Sequence, residues 1–254
     1  MNIRCQYRFE YEGSDVSTAR RKSRDYWEYF SSLNFFLGER FIIGKQVFKS
    51  LFFVFNFILR QRKVMKILEE RIEKEGKIYP GNIVKVGTFL NHQLDTTLLM
   101  QMGEEIARLF GNDGVNKILT VESSGIAIAV FAGYKMGVPV VFAKKGETKN
   151  IRGDVYSTEI ESFTHKRTYN VIVSKEVMGP DDKVLIVDDF LANGKALEGL
   201  MDIVKQAGAE LVGCAIAIEK GFQGAGDRLR NKGVRVESLA LIDEMTDDSV
   251  KFRR

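Results

Sequence analysis

Two adjacent carboxylates, Asp188 and Asp189, leave an apolar run and are followed within five residues by a glycine that opens a helical pattern, over Val184–Ala196 (VLIVDDFLANGKA). A buried strand of this kind delivers both carboxylates to one rim of a sheet. Two acidic side chains side by side can accept hydrogen bonds from two vicinal ribose hydroxyls, directly or through a metal. The small residues Ala192, Gly194 and Ala196 let backbone N–H groups approach a phosphate, and the helix that starts there favours its negative charge. Asn193 and Lys195 complete the loop. A ribose 5-phosphate fits this arrangement from end to end. The spacing is not that of a Walker A loop, which needs Gly-x-x-x-x-Gly-Lys-Ser/Thr.

The elements that must position such a rim follow from periodicity. Met65–Glu75 reads as a helix stopped by Gly76, and Leu94–Phe110 as an amphipathic helix closed by Gly111. Apolar runs at Lys117–Glu122, Val138–Ala143, Lys183–Asp188, Glu210–Ile218 and Arg235–Ile242 alternate with helical patterns at Gly125–Met136 and Gly194–Ala207. Strands alternating with helices predict an α/β fold with a mostly parallel sheet flanked by helices. In such sheets ligands bind beyond the carboxyl ends of the strands. The runs end at Glu122, Lys144, Asp188 with Asp189, and Glu219 with Lys220, so polar groups gather on one rim.

Residues 1–64 differ from the remainder. They hold 12 Lys and Arg against 6 Asp and Glu, and 10 of the 18 Phe, whereas residues 65–254 hold 26 basic against 28 acidic residues. The larger part is slightly acidic, which argues against nucleic acid as a main partner. Only Cys5 and Cys214 occur, so no disulfide framework is expected and a reducing, cytoplasmic setting is the simpler reading. The most apolar stretch, Leu51–Leu59, is about half the length a membrane span needs. The first 64 residues lack a helix-turn-helix pattern and clear turn chemistry. They are expected to be an atypical basic, Phe-rich extension that is not part of the native protein, whose domain is expected to run from Met65 to Arg254.

The thirteen-residue pattern resembles the phosphoribosyl-pyrophosphate signature of the type I phosphoribosyltransferases. Over residues 65–254 the chain is similar to bacterial xanthine phosphoribosyltransferases, through Phe89–Asp95 (FLNHQLD), Val121–Ile126 (VESSGI), Ile186–Gly194 (IVDDFLANG) and Val204–Ala209 (VKQAGA). The resemblance implies the type I fold, with a small hood formed by N- and C-terminal parts of the domain, and an enzyme of purine salvage. It implies Asp188 and Asp189 as the catalytic pair, with phosphoribosyl pyrophosphate held at Ala192, Asn193, Gly194, Lys195 and Ala196. Ser123, Ser124 and Gly125 would hold the pyrophosphate, with Lys144 as a counter-charge at the next strand end.

The resemblance also assigns the purine contacts to Asn91 and Lys220. Val84 stands where the family has a Leu. A cation at Lys220 can donate to a 6-oxo oxygen and disfavours adenine, and Phe222 could stack on the base. Mg2+ is expected to enter with phosphoribosyl pyrophosphate, and no dedicated protein metal site is expected. A homodimer with no membrane or nucleic-acid partner is implied. Hypoxanthine-guanine enzymes carry an Asp where Ala192 stands, so the general base is left open, with Glu159 and Glu161 candidates by reach alone. His165 is expected at the surface. Hypoxanthine-guanine specificity, and a purine-responsive transcription regulator on the same fold, are the alternatives.

Overall fold

The computed structural model describes residues 66–146, 154–161 and 168–253. The expected extension 1–64, its boundary at Met65 and His165 lie outside the described residues. Helix α1 (66–75) precedes a hairpin of β1 (Lys77–Tyr79) and β2 (Ile83–Lys85), and a wide helical turn at Gly87–Asn91 leads to α2 (Thr96–Phe110). Asp95 caps α2 by accepting the N–H groups of Thr97 and Leu98, both at 3.1 Å, which sets its start two residues later than periodicity suggests.

There follow β3 (Lys117–Val121), α3 (Gly125–Met136), β4 (Val140–Lys145), β5 (Val155–Glu161), β6 (Thr168–Ser174) and β7 (Lys183–Leu191). The chain continues through α4 (Lys195–Gln206), β8 (Glu210–Lys220), α5 (Ala225–Asn231), β9 (Val236–Met245) and β10 (Val250–Phe252). Among the described residues, eight strands form one sheet in the order β10-β9-β8-β7-β3-β4-β6-β5. The five strands from β9 to β4 run parallel, and β10, β6 and β5 are antiparallel additions at the edges.

The parallel strands are apolar on both faces because each face is covered. One core joins α1, α2 and α3 to Ile118, Leu185, Val187 and Ala217. The other joins α4 and α5 to Leu119, Ile186, Cys214 and Ile216. Strand β7 lies between β3 and β8 and runs three residues past Asp188, so both carboxylates belong to the strand rather than to the loop after it. Strands β5 and β6 pair as an antiparallel ribbon. It is fastened to α4 by Gln206, whose side-chain amide accepts from Ser157 N–H at 3.2 Å and donates to Ser157 C=O at 2.9 Å. The ribbon is thereby attached to the helix that starts at the phosphate loop.

Candidate active site

Asp188 is 5% exposed and its neighbour Asp189 is half-buried. The Asp189 N–H donates to Asp188 Oδ1 at 2.9 Å, which holds the first carboxylate against the strand. Burial, and then the charge of Asp189, push the Asp188 carboxyl well above the usual range, while Lys145 works in the other direction. The same environment pushes the buried Cys214 thiol up to about 12, through burial first and Asp188 second.

Beyond the pair, the chain turns through Ala192, Asn193 and Gly194 into α4. Gly194 has φ +89°, a conformation open to glycine and costly for other residues. Asn193 Oδ1 accepts the Lys195 N–H at 3.1 Å, and the Asn193 carbonyl accepts from Arg228 Nη2 at 3.0 Å. Arg228 also reaches the Gln223 carbonyl at 3.3 Å, so one guanidinium on α5 holds this loop and the turn after β8. The first N–H groups of a twelve-residue helix face the rim here, with Lys195 and Ala196 in its first turn.

The loop Ser123–Gly125 lies beside Asp188. A side chain at Gly125 would collide with the Thr120 hydroxyl and stand 3.1 Å from Asp188 Oδ1, so only glycine lets α3 start this close to the carboxylate. Thr120 is fully buried, and its hydroxyl has no hydrogen-bond partner among the described residues. Glu122, the residue before the loop, accepts the Lys145 N–H at 2.5 Å and so ties the ends of β3 and β4 together.

The structure does not bring Lys144 to this group. Side chains alternate along a strand, and Lys144 shares a face with Phe142, its ammonium 5.9 Å from that ring. Lys145 shares the other face with the buried Ala143, lies 5.0 Å from the ring of Tyr169, and is the cation felt at Asp188. Tyr169, on β6, has its phenol pushed up by burial first and by Asp188 second. Lys145, Tyr169, Thr120 and Arg228 also border this group, and no expectation drawn from the sequence named them. For Lys145 a signal was present, since Ala143, two residues back, is the small apolar residue that marks the core-facing side.

On the other side of the pair stand the expected base contacts. Asn91 ends the 87–91 turn, and its Nδ2 donates to Asp189 Oδ2 at 3.2 Å. Lys220 ends β8, with its ammonium 5.7 Å from the ring of Phe190 and donating to the Asn82 carbonyl at 2.8 Å. That bond fastens the β1–β2 hairpin over the rim, and burial lowers the Lys220 pKa. Val84, on β2, packs into the core beneath the hairpin. Phe222 is exposed on the short turn Gly221–Gln223. Glu159 is exposed on the ribbon, and the side chain of Glu161 lies outside the described residues.

A parallel sheet thus ends in two carboxylates, with a helix start suited to an anion on one side and an amide and an ammonium on the other. The chain belongs to the phosphoribosyl transferase domain family, which matches residues 90–236. It is 52% identical to a xanthine phosphoribosyltransferase of Lachnoclostridium phytofermentans over 191 residues, 74% of this chain and 98% of that one. It is 53% identical to xanthine phosphoribosyltransferase 1 of Clostridium perfringens over 190 residues, 74% of this chain and 100% of that one. Among solved structures, adenine phosphoribosyltransferase of Rhodothermus marinus shares the fold, with a TM-score of 0.57 and 23% identity over 70% of this chain and 98% of that one. The enzyme of Giardia lamblia complexed with 9-deazaadenine does so with a TM-score of 0.58 and 20% identity, over 67% and 95% of the two chains.

Proposed function

We propose that the protein transfers phosphoribose from phosphoribosyl pyrophosphate to xanthine, forming xanthosine 5'-monophosphate and pyrophosphate. The observation that carries this reading is the order of groups along the rim. The α4 start and Ala192–Ala196 suit the 5-phosphate, Asp188 and Asp189 the ribose hydroxyls, and Ser123–Gly125 with Lys145 the pyrophosphate. Asn91 and Lys220 face the base. The xanthine assignment rests on the relatives at about half identity and on the Lys220 ammonium, which suits a 6-oxo oxygen and repels the donor amino group of adenine.

In the reaction the bond from C1' to the pyrophosphate oxygen breaks, and a bond from C1' to a purine ring nitrogen forms. The ring proton is lost, and pyrophosphate leaves with the bonding electron pair. Positive charge builds on the ribose in between, so catalysis is mainly positioning and electrostatic stabilisation. The two carboxylates hold the hydroxyls on the face where that charge develops. Among the described residues no cluster of three or more His, Cys, Asp or Glu could hold a metal ion. Asp188 and Asp189, two adjacent carboxylates at the rim, would hold an Mg2+ that enters with phosphoribosyl pyrophosphate. Bound there, Mg2+ would neutralise charge on the departing pyrophosphate.

The structure separates two adjacent lysines, which gives a direct test. Lys145→Ala is expected to raise the KM for phosphoribosyl pyrophosphate by about tenfold, because a charge-assisted contact to phosphate is lost. Lys144→Ala is expected to change it less than about twofold, as a solvated surface charge does. Equal effects in steady-state kinetics would remove Lys145 from the pyrophosphate site.

We further propose that residues 65–254 form the whole catalytic unit, as a cytoplasmic homodimer without a membrane or nucleic-acid partner. No helix among the described residues is long and apolar enough to cross a membrane. The substrate is tested by a nucleobase panel on residues 65–254, with Mg2+ and phosphoribosyl pyrophosphate, following pyrophosphate release. Xanthine is expected to exceed guanine and hypoxanthine in kcat/KM by at least about tenfold, the effect of one well-made polar contact. Equal use of guanine would keep the chemistry and sink the xanthine assignment. Tight binding without turnover of any base would favour the regulator reading.

A further inference from the structure

Asn91 donates to Asp189 although the two are 98 positions apart in the chain and serve different parts of the proposed site. The contact is built on rigid supports. Phe89 and Leu90, the two residues before Asn91, are both fully buried, and the Phe89 carbonyl accepts the Asp95 N–H at 2.9 Å. Asp189 stands on β7 inside the parallel sheet, its own N–H held by Asp188. Neither partner has a floppy tether, so the bond is set by the fold and not by two long side chains meeting by chance.

Its direction is decided by chemistry. A carboxylate only accepts, so the amide nitrogen of Asn91 must face Asp189. The opposite orientation would set two oxygens against each other. With one N–H committed to Asp189, the amide cannot turn over, and its Oδ1 remains an acceptor for a purine N–H. Asp189 in turn has about four acceptor positions, and Asn91 occupies one of them without blocking the ribose hydroxyls.

We propose that Asn91 is a positioning residue for the ribose carboxylate Asp189 as well as a base contact, so that one amide couples the two substrate sites. The proposal rests on the reading of Asp189 as a ribose ligand. It gives Asn91 an effect on phosphoribosyl pyrophosphate that a base contact would not have. It also gives Asp189 an effect on the purine, because the carboxylate sets which end of the amide the base meets. Binding at one site is then linked to binding at the other, and the coupling is reciprocal.

The test is phosphoribosyl pyrophosphate binding to the full chain by calorimetry, with Mg2+ present and no base. Asn91→Ala and Asn91→Leu (the latter close in shape and without hydrogen-bonding groups) are compared with Lys220→Ala. Both Asn91 variants are expected to weaken base-free binding by about 5- to 10-fold, the loss of one hydrogen bond to a charged group at a half-exposed site. Lys220→Ala is expected to leave base-free binding unchanged while raising the KM for xanthine. Unfolding midpoints equal to wild type would show that the loss is not general destabilisation. Base-free affinity unchanged in both Asn91 variants, with a raised KM for xanthine, would overturn the coupling and leave the proposed reaction standing. Failure of the wild-type chain to bind phosphoribosyl pyrophosphate would overturn both.

Discussion

Replacing Asp188 by asparagine is expected to make the protein more heat-stable and nearly inactive. Asp188 is 5% exposed, and both burial and the neighbouring Asp189 charge raise its carboxyl well above the ordinary value of about 3.9. A raised carboxyl means that the folded state holds this proton more tightly than the unfolded chain does. Its contribution to stability is therefore complete below the unfolded value and is lost as pH rises through the folded one. Wherever the group is ionised in the folded chain, its buried charge is a net cost to the fold. Asparagine keeps an oxygen to accept the Asp189 N–H, now made at 2.9 Å, and removes the buried charge.

The unfolding midpoint of Asp188→Asn should rise by about 2–4 °C at pH 7.5, the shift expected for roughly 1 kcal/mol in a domain of this size. The gain should shrink towards pH 4, where the folded wild-type carboxyl is protonated and the unfolded one about half so. Turnover should fall by on the order of 100- to 1,000-fold, because a charged acceptor for a ribose hydroxyl and its stabilisation of the developing cation are both lost. Scanning calorimetry at the two pH values and steady-state kinetics read the two effects separately. A lower midpoint at pH 7.5 would mean that the Asp188 charge is satisfied in the fold. Unchanged kcat would remove it from the catalytic pair.

The residues behind these expectations were unevenly legible in the sequence. The β7 signature was clear because an apolar run buried on both faces can end in two carboxylates only at a rim, and the structure places Asp188 and Asp189 there. The parallel order of the central strands followed from the alternation of runs and helical patterns. The side chains of Lys144 and Lys145 were not separable by composition, since both are lysine and only the parity of β4 decides which one faces Asp188. The Asn91–Asp189 contact could not be read at all, because it joins the 87–91 turn to β7, 98 positions away, through the tertiary fold rather than through any local pattern. β10 escaped notice for a different reason. It is three residues long and gains its order from pairing with β9, which local propensity does not report.

Glu219 shows the same limit with a larger energetic consequence. In the sequence it is one of two charged residues after an apolar run, and a solvated rim position is the natural reading. In the structure β8 runs on through Lys220, and Glu219 is 1% exposed. Arg230 on α5 meets it with two hydrogen bonds, Nη2 to Oε2 at 2.6 Å and Nη1 to Oε1 at 3.0 Å, and the Ser238 hydroxyl adds a third. The Glu219 hydrogen bond is the leading cause that raises the Arg230 pKa. Arg230→Met is expected to destabilise the protein by about 2–4 kcal/mol, because a buried carboxylate loses its counter-charge while the apolar replacement still fills the space. This lies somewhat below the range for a fully buried pair, since the Arg230 side chain is 30% exposed.

The loss should reach the site, because Glu219 immediately precedes Lys220, and α5 also carries Arg228, which holds the Asn193 and Gln223 carbonyls. The KM values for base and for phosphoribosyl pyrophosphate should therefore both rise in Arg230→Met. Adding Glu219→Gln removes the stranded charge and is expected to recover at least about half of the lost stability, since the penalty of an unpaired buried ion exceeds the net value of the pair. Urea unfolding of the single and double variants measures this. A single-variant loss below about 1 kcal/mol would show that Glu219 is solvated enough to stand alone. A double variant no more stable than the single one would place the value of Arg230 in its other bonds, to Asp227 and the Val236 carbonyl, rather than in the pair behind Lys220.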